Sequence, residues 1–292
     1  MRTFLSVSFS IFFALSCKTE PKHSPSKVIS ETIPEVHQWA LGNHLQHVES
    51  VLYDSTNNLF YASCGKEYKV GTEGFIAKMS PTGNLLESKW IKNLNRPTGM
   101  ALYDTKLYVA DVDRIVIIDV NSGKLLDSVP EPIKNSGLND VAISATGRVF
   151  VTASFVHSIF ELVDGKLIAF LKDDKNLEWA NGIMFDGESL VVGGTNLIKI
   201  NIQSKNIDPL STSPKVFDFD GLVADGIGGY YATTVENSTL WHINSALKAT
   251  KLASDSYYFG DMDYIPKEKR LVIARGKPKT NSFFIESRTV FK

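Results

Sequence analysis

The feature that most constrains this chain is a unit of about 40 residues that recurs six times. Each copy opens on a polar residue, passes through a small or polar one into alternating apolar residues, turns, and continues as an apolar run. Three copies begin Glu49-Ser50-Val51-Leu52, Thr98-Gly99-Met100-Ala101 and Asn139-Asp140-Val141-Ala142. The others begin Asn181-Gly182-Ile183-Met184, Asp220-Gly221-Leu222-Val223 and Asp261-Met262-Asp263-Tyr264. The first interval is longer than the rest and leaves room for an insertion around Gly65 to Gly74.

Inside each unit, short runs rich in β-branched and aromatic residues alternate with Asx-Gly and similar turns. Leu107-Tyr108-Val109-Ala110, Val149-Phe150-Val151-Thr152 and Tyr230-Tyr231-Ala232-Thr233 are second strands; Arg114 to Asp119, followed by Asn121-Ser122-Gly123, is a third with its turn. No sustained 3.6-residue apolar period runs through the body, so helices are expected to be few. A sheet that is apolar on both faces must bury both, and stacking six such sheets in a ring does so. The expected fold is all-β, a six-bladed β-propeller with four-stranded blades spanning residues 35–292. Closure is expected from a strand near Val36 to Leu41 completing the last blade beside Ser282 to Ile285. A β-sandwich is the alternative that the even spacing disfavours.

The first residues read differently. Arg2 precedes an uncharged run from Phe4 to Leu15, too short for a bilayer span but suited to a secretory h-region. It ends in Ala14-Leu15-Ser16-Cys17, which resembles the lipobox of bacterial lipoproteins. Residues 1–17 are thus expected to be a lipoprotein signal peptide with lipidation at Cys17. The other reading is an ordinary signal peptide cleaved nearby. Residues 18–34, with Pro21, Pro25 and Pro34 among Lys, Ser, Thr and Glu, read as a flexible tether. The expected location is the bacterial cell envelope, anchored in the membrane by the N-terminal lipid. The only other cysteine, Cys64, lies in an apolar stretch and reads as a buried inert thiol. With 31 basic against 32 acidic side chains and no basic stripe, nucleic acid is not an expected partner. Nothing in a propeller requires more than a monomer.

In a propeller the innermost strand of each blade lines the central channel, so the unit starts converge there. Glu49, Thr98, Asn139, Asn181, Asp220 and Asp261 all offer an oxygen. Carboxylates crowded into a channel repel one another unless a cation neutralises them. Oxygen donors without Cys or His suit Ca²⁺. Taken singly, such residues equally serve as strand starts that satisfy neighbouring backbone.

The ordered set Val48-Glu49-Ser50-Val51, Leu138-Asn139-Asp140, Asn181-Gly182-Ile183 and Asp220-Gly221-Leu222 resembles the landmarks of the SMP-30/gluconolactonase family over about residues 45–290. The resemblance implies a divalent cation in the channel, Ca²⁺ or Zn²⁺, held by Glu49, Asn181 and Asp220. It implies that Asn139 faces substrate or completes the coordination, and that Asp220 is the catalytic general base. Asp261 joins Asn139 as a substrate-binding candidate. The implied reaction is hydrolysis of a lactone or related ester, metal-dependent, with a small-molecule substrate. One departure stands out: the family's lactonases commonly carry an Arg two residues before the residue matching Asn139, and here that place is Gly137. Arg96 and Arg275 are the candidates to replace it from other blades.

A second reading from another class is a non-catalytic propeller that binds a ligand or protein at the channel mouth, with a structural metal. An open channel favours the enzyme; a channel plugged by Tyr68, Trp179 or Phe259 favours the binder. His47, two residues before Glu49, is a candidate channel acid or base if the strand runs through both. His37 and His44 read as surface residues, His157 and His242 as structural, and the glycine pairs as turns.

Overall fold

Among residues 34–290, those that the computed structural model describes, every strand belongs to one of six four-stranded antiparallel sheets. Helix is confined there to short 3-10 turns. The expected leader, Cys17 and nearly all of the tether fall in residues 1–33, outside the described residues. The six sheets follow one another as blades, each running from an inner to an outer strand in chain order. The inner strands are Val48–Asp54, Met100–Tyr103, Leu138–Ile143, Ile183–Asp186, Phe219–Ala224 and Tyr258–Ile265.

The exception to chain order is the last blade, whose outer strand is Val36–Trp39 from the start of the body. It pairs antiparallel with Ser282–Thr289, Val36 opposite Arg288 and Trp39 opposite Ile285. The partner segment is therefore displaced toward the C-terminus from the expected one. This pairing closes the ring with main-chain hydrogen bonds and leaves only the four-residue Val36–Trp39 as the outer edge.

The blades are held to one another by apolar clusters between neighbours, and the alternation of the strands explains why. In the second strand of blade one, Phe60, Ala62 and Cys64 face the cluster shared with blade six, while Tyr61 faces the cluster shared with blade two. In blade three, Val149, Val151 and Ala153 face blade two and Phe150 faces blade four. A strand buried on both faces reads as a continuous apolar run, which is how these second strands look in the sequence. Cys64 sits in this layer, and burial pushes its thiol up and keeps it inert.

At particular points near the axis, adjacent blades approach too closely for a side chain. A Cβ on Gly182 would lie 2.1 Å from the carbonyl oxygen of Asp220 in the next blade. Glycine there is a condition of ring closure, not of turn formation.

Between blades six and one, Asp263 accepts hydrogen bonds from the backbone N–H of Tyr53 (2.8 Å) and of Tyr264 (2.7 Å). Burial nevertheless pushes its carboxyl up to about 6. An unfolded aspartate titrates near ~3.9, so between the two values the folded chain holds a proton that the unfolded chain has released. The contribution is thus full below the unfolded value and lost as pH rises through about 6. Urea unfolding at a series of pH values should show wild type losing on the order of 1–2 kcal/mol more than Asp263→Asn across that window. Parallel profiles for the two proteins would contradict the assignment.

Candidate functional site

The channel residues owe their placement to a repeated irregularity of the inner strands. In blades one, three, five and six the pairing with the second strand skips at the pairs Glu49-Ser50, Asn139-Asp140, Asp220-Gly221 and Gly260-Asp261. Such a bulge frees backbone groups and re-aims side chains. In three of them a hydroxyl on the second strand takes up the freed N–H. Ser63 accepts from Ser50 N (3.1 Å), Thr152 from Asp140 N (3.0 Å) and Thr233 from Gly221 N (2.8 Å). Thr152 and Thr233 then donate to carbonyl oxygens of the following blades, Asn181 O (2.8 Å) and Gly260 O (2.9 Å). The bulges of blades three and five are thereby stitched to the next blade.

The register places Glu49, Thr98, Asn139, Asn181 and Asp220 at one equivalent position, as the repeat suggests. In blade six that position belongs to Gly260, and Asp261 lies one step further, equivalent to Ser50, Asp140 and Gly221. Its carboxylate accepts a hydrogen bond from Ser50 Oγ at 2.7 Å. Asp140 behaves alike, accepting from Ile183 N of the next blade at 2.9 Å. Thr98 is buried, and its hydroxyl donates to Asn139 O at 2.6 Å, so it serves the backbone.

Three of these side chains, together with Arg96, form two cross-blade pairs. Asn181 Nδ2 donates to Asp220 Oδ1 at 2.8 Å, and Arg96 Nη2 donates to Glu49 Oε2 at 2.5 Å. The Arg96 side chain, 15% exposed, brings a cation into the channel, where the Glu49 partner is 21% exposed. It is the one of the two candidate arginines that reaches this site. Arg275 is fully buried in blade six, bound to Glu286, Asp255 and Tyr258 O and stacked on Phe259.

One guanidinium faces four carboxyl groups. Burial, reinforced by Glu49 and Asp261, pushes Asp220 well above the ordinary carboxylate range. Burial and Asp261, in the opposite blade, do the same to Asp140. Asp261 is pushed up to about 7, by burial first and by Asp263 and Glu49 after it, against the hydrogen bond from Ser50. Groups in opposite blades influence one another in this way only where they approach the axis together.

The mouth is partly roofed. The inserted segment 65–73 between the second and third strands of blade one carries Tyr68 across blade two. Its hydroxyl donates to Leu138 O at 2.5 Å, its ring lies 5.8 Å from the Arg96 guanidinium and 5.6 Å from the Phe155 ring. Phe155 in turn meets Trp179 edge-on at 5.9 Å. Of the three expected plugs, Tyr68 covers one side, Trp179 stands exposed at the rim, and Phe259 is buried beneath Arg275. His47 does not share a strand with Glu49: it precedes the inner strand with φ +50 and packs its ring on Phe283. Phe155, unmarked in the sequence, follows the second strand of blade three, where the corresponding loop of blade one carries Tyr68.

The donor set can be tested for a cation on its own chemistry. Among the described residues no three His, Cys, Asp or Glu side chains are arranged as a metal site by themselves. The set consists of two carboxylates and two amides. Arg96 engages only Oε2 of Glu49, and Asn181 only Oδ1 of Asp220. Both amides bond through their nitrogens, Asn139 to Ser154 Oγ at 3.2 Å and Asn181 to Asp220. Their oxygens, with the second oxygen of each carboxylate, are left as acceptors in a site of excess negative charge. By donor type these oxygens are those that a hard divalent cation takes.

No family model matches the chain, and no curated protein matches it. Solved structures do. A catalytically inactive virginiamycin B lyase from Staphylococcus aureus, crystallised with quinupristin, superposes with a TM-score of 0.62 at 13% identity, covering 89% of this chain and 100% of its own. A luciferin-regenerating enzyme gives 0.64 at 16% identity, covering 88% and 96%. A gluconolactonase-like protein gives 0.64 at 13% identity, covering 88% and 92%. At such identities the likeness is one of fold, and the chain is a six-bladed β-propeller of the architecture these enzymes share.

Proposed function

We propose that this protein is a gluconolactonase-like hydrolase of a lactone or related ester, of the SMP-30 type, with a divalent cation, Ca²⁺ by preference, in its channel. The observation that carries the reading is the meeting of Glu49, Asn181 and Asp220 from three blades in an acidic channel. Glu49, Asn181, Asp220 and Asn139 would hold the cation, which when bound supplies Lewis-acid polarisation of the substrate carbonyl.

The chain's own residues do the rest. Asp220 takes a proton from the attacking water while the hydroxide oxygen bonds to the carbonyl carbon. The ring or ester C–O bond then breaks, and the proton passes to the departing oxygen, giving a hydroxy acid or an acid and an alcohol. Asn181, bonded to Asp220, fixes the orientation of that carboxylate. Asn139, held by Ser154, faces the substrate, and Asp261, from the opposite blade, is the second substrate-side group. Arg96 holds Glu49 in place. The site is carried at the cell envelope by the lipid on Cys17.

Elemental analysis of the domain from about residue 30 should find near-stoichiometric divalent metal in wild type and little in Asp220→Ala. The same preparations are then screened on lactones and esters. Wild type without metal after supplementation with Ca²⁺ and Zn²⁺ would sink this mechanism. The roof made by Tyr68 favours the second reading, a ligand-binding propeller, and that outcome would leave it standing.

A further inference from the structure

We propose that Phe155 and Trp179 form an aromatic subsite at the channel mouth that takes a planar aryl group of the substrate. This deepens the hydrolase reading and rests on it for the reaction, though not for the binding.

The two rings are exposed where a soluble protein gains nothing by exposing them. Phe155 is 51% and Trp179 55% accessible, in loops on the same face of the ring. Trp179 also carries a left-handed backbone, φ +52. That conformation is costly for a bulky residue, and such strain gathers at binding sites. Gly194 packs closely against this stretch of backbone. Trp179 O and Glu178 O lie 2.7 and 2.9 Å from where a Cβ on Gly194 would stand.

Ser154 ties the loops that carry the pair to the candidate amide of Asn139. Ser154, next to Phe155, accepts from Asn139 Nδ2 at 3.2 Å and donates to Ala180 O, between Trp179 and Asn181, at 2.6 Å. In this subsite a ligand whose carbonyl meets Asn139 lays its adjoining group against Phe155 and Trp179. Gly137 deepens the contrast with the resembled lactonases. Its backbone is left-handed, φ +68, and a Cβ there would lie 2.7 Å from the Phe155 ring. A cationic side chain that would grip a polyhydroxy or anionic substrate is thus excluded by an aromatic one. On its other side Phe155 lines, with Tyr68, Val112, Gly137 and charged residues that include Asp113 and Glu131, a cleft of about 330 Å³ that does not reach Trp179. Aromatic walls favour stacking or edge contact with a planar ring.

The test uses the full body with its metal and four probes. Dihydrocoumarin and δ-valerolactone are lactones with and without a fused benzene ring; 2-tetralone and cyclohexanone are the corresponding ketones, which cannot be hydrolysed. Calorimetry should show 2-tetralone binding to wild type and cyclohexanone binding at least about tenfold more weakly. Phe155→Ala and Trp179→Ala should each weaken 2-tetralone by about tenfold, and Trp179→Phe should retain most of the affinity. Ile168→Ala, an exposed change on an outer strand of blade three, should bind as wild type.

Equal binding of the two ketones, no binding of 2-tetralone, or unchanged affinity in the alanine variants would overturn the subsite. Binding of 2-tetralone without hydrolysis of either lactone would overturn the hydrolase reading and leave the subsite. Hydrolysis of both lactones with equal KM would do the reverse.

Discussion

Asp220→Asn should lower kcat/KM for the best lactone or ester by about 10³ or more and, in metal-free protein, raise the melting temperature. The two effects have opposite signs for one reason. The carboxylate is held against Glu49 and Asp261 in a buried channel, where its charge is costly to the fold. An amide of the same shape keeps an oxygen for Asn181 Nδ2 but cannot take a proton from water. A residue kept for chemistry at the expense of stability shows this trade, whereas one kept for structure loses both together. Steady-state kinetics with metal and thermal scans without it are the two measurements. A variant of undiminished activity, or one that melts lower without metal, would remove Asp220 from the role given to it.

Arg275→Ala should cost about 3–5 kcal/mol of folding stability, the largest single-site loss expected in the body. Arg275 is wholly buried, yet it bonds both oxygens of Asp255 at 2.7 Å, Tyr258 O at 3.0 Å and Glu286, and lies 3.4 Å over the Phe259 ring. Removing it leaves the Glu286 carboxylate, itself 5% exposed, with Arg288 as its one remaining cation. The loss comes mainly from that stranded charge, so Arg275→Met with Glu286→Gln should recover a substantial part of it. Denaturant unfolding of the three variants measures the difference. A double variant no more stable than Arg275→Ala would place the loss in packing on Phe259 instead. Because Glu286 lies in the strand that pairs with Val36–Trp39, the closure of the ring is the region expected to open first.

The blades were legible because their signal is local. Alternation with period two, Asx-Gly turns and an interval near 40 residues all lie within one unit, and stacking follows from the two apolar faces that each unit must bury. The oxygen-bearing residues at the head of the inner strands were legible for the same reason. So were the insertion around Gly65 to Gly74 and the closure by an early strand, apart from its register against Ile285 to Arg288.

Other features depend on contacts between units, and no periodicity reports those. A bulge displaces the register by one residue without a sequence mark, so Asp261 reads as the sixth ring residue while Gly260 holds that place. Arg96 sits two residues before Thr98 in blade two, and only the packing of that blade on its neighbour brings its guanidinium to Glu49. The empty place at Gly137 is visible in the sequence, but the Phe155 ring lying on it comes from another turn of the same blade. The sequence alone determined the repeat, the blades and the chemistry offered to the channel, because these follow from neighbours along the chain. Tertiary structure decided which of those groups meet, because charge and shape act between residues that the ring brings together from different blades.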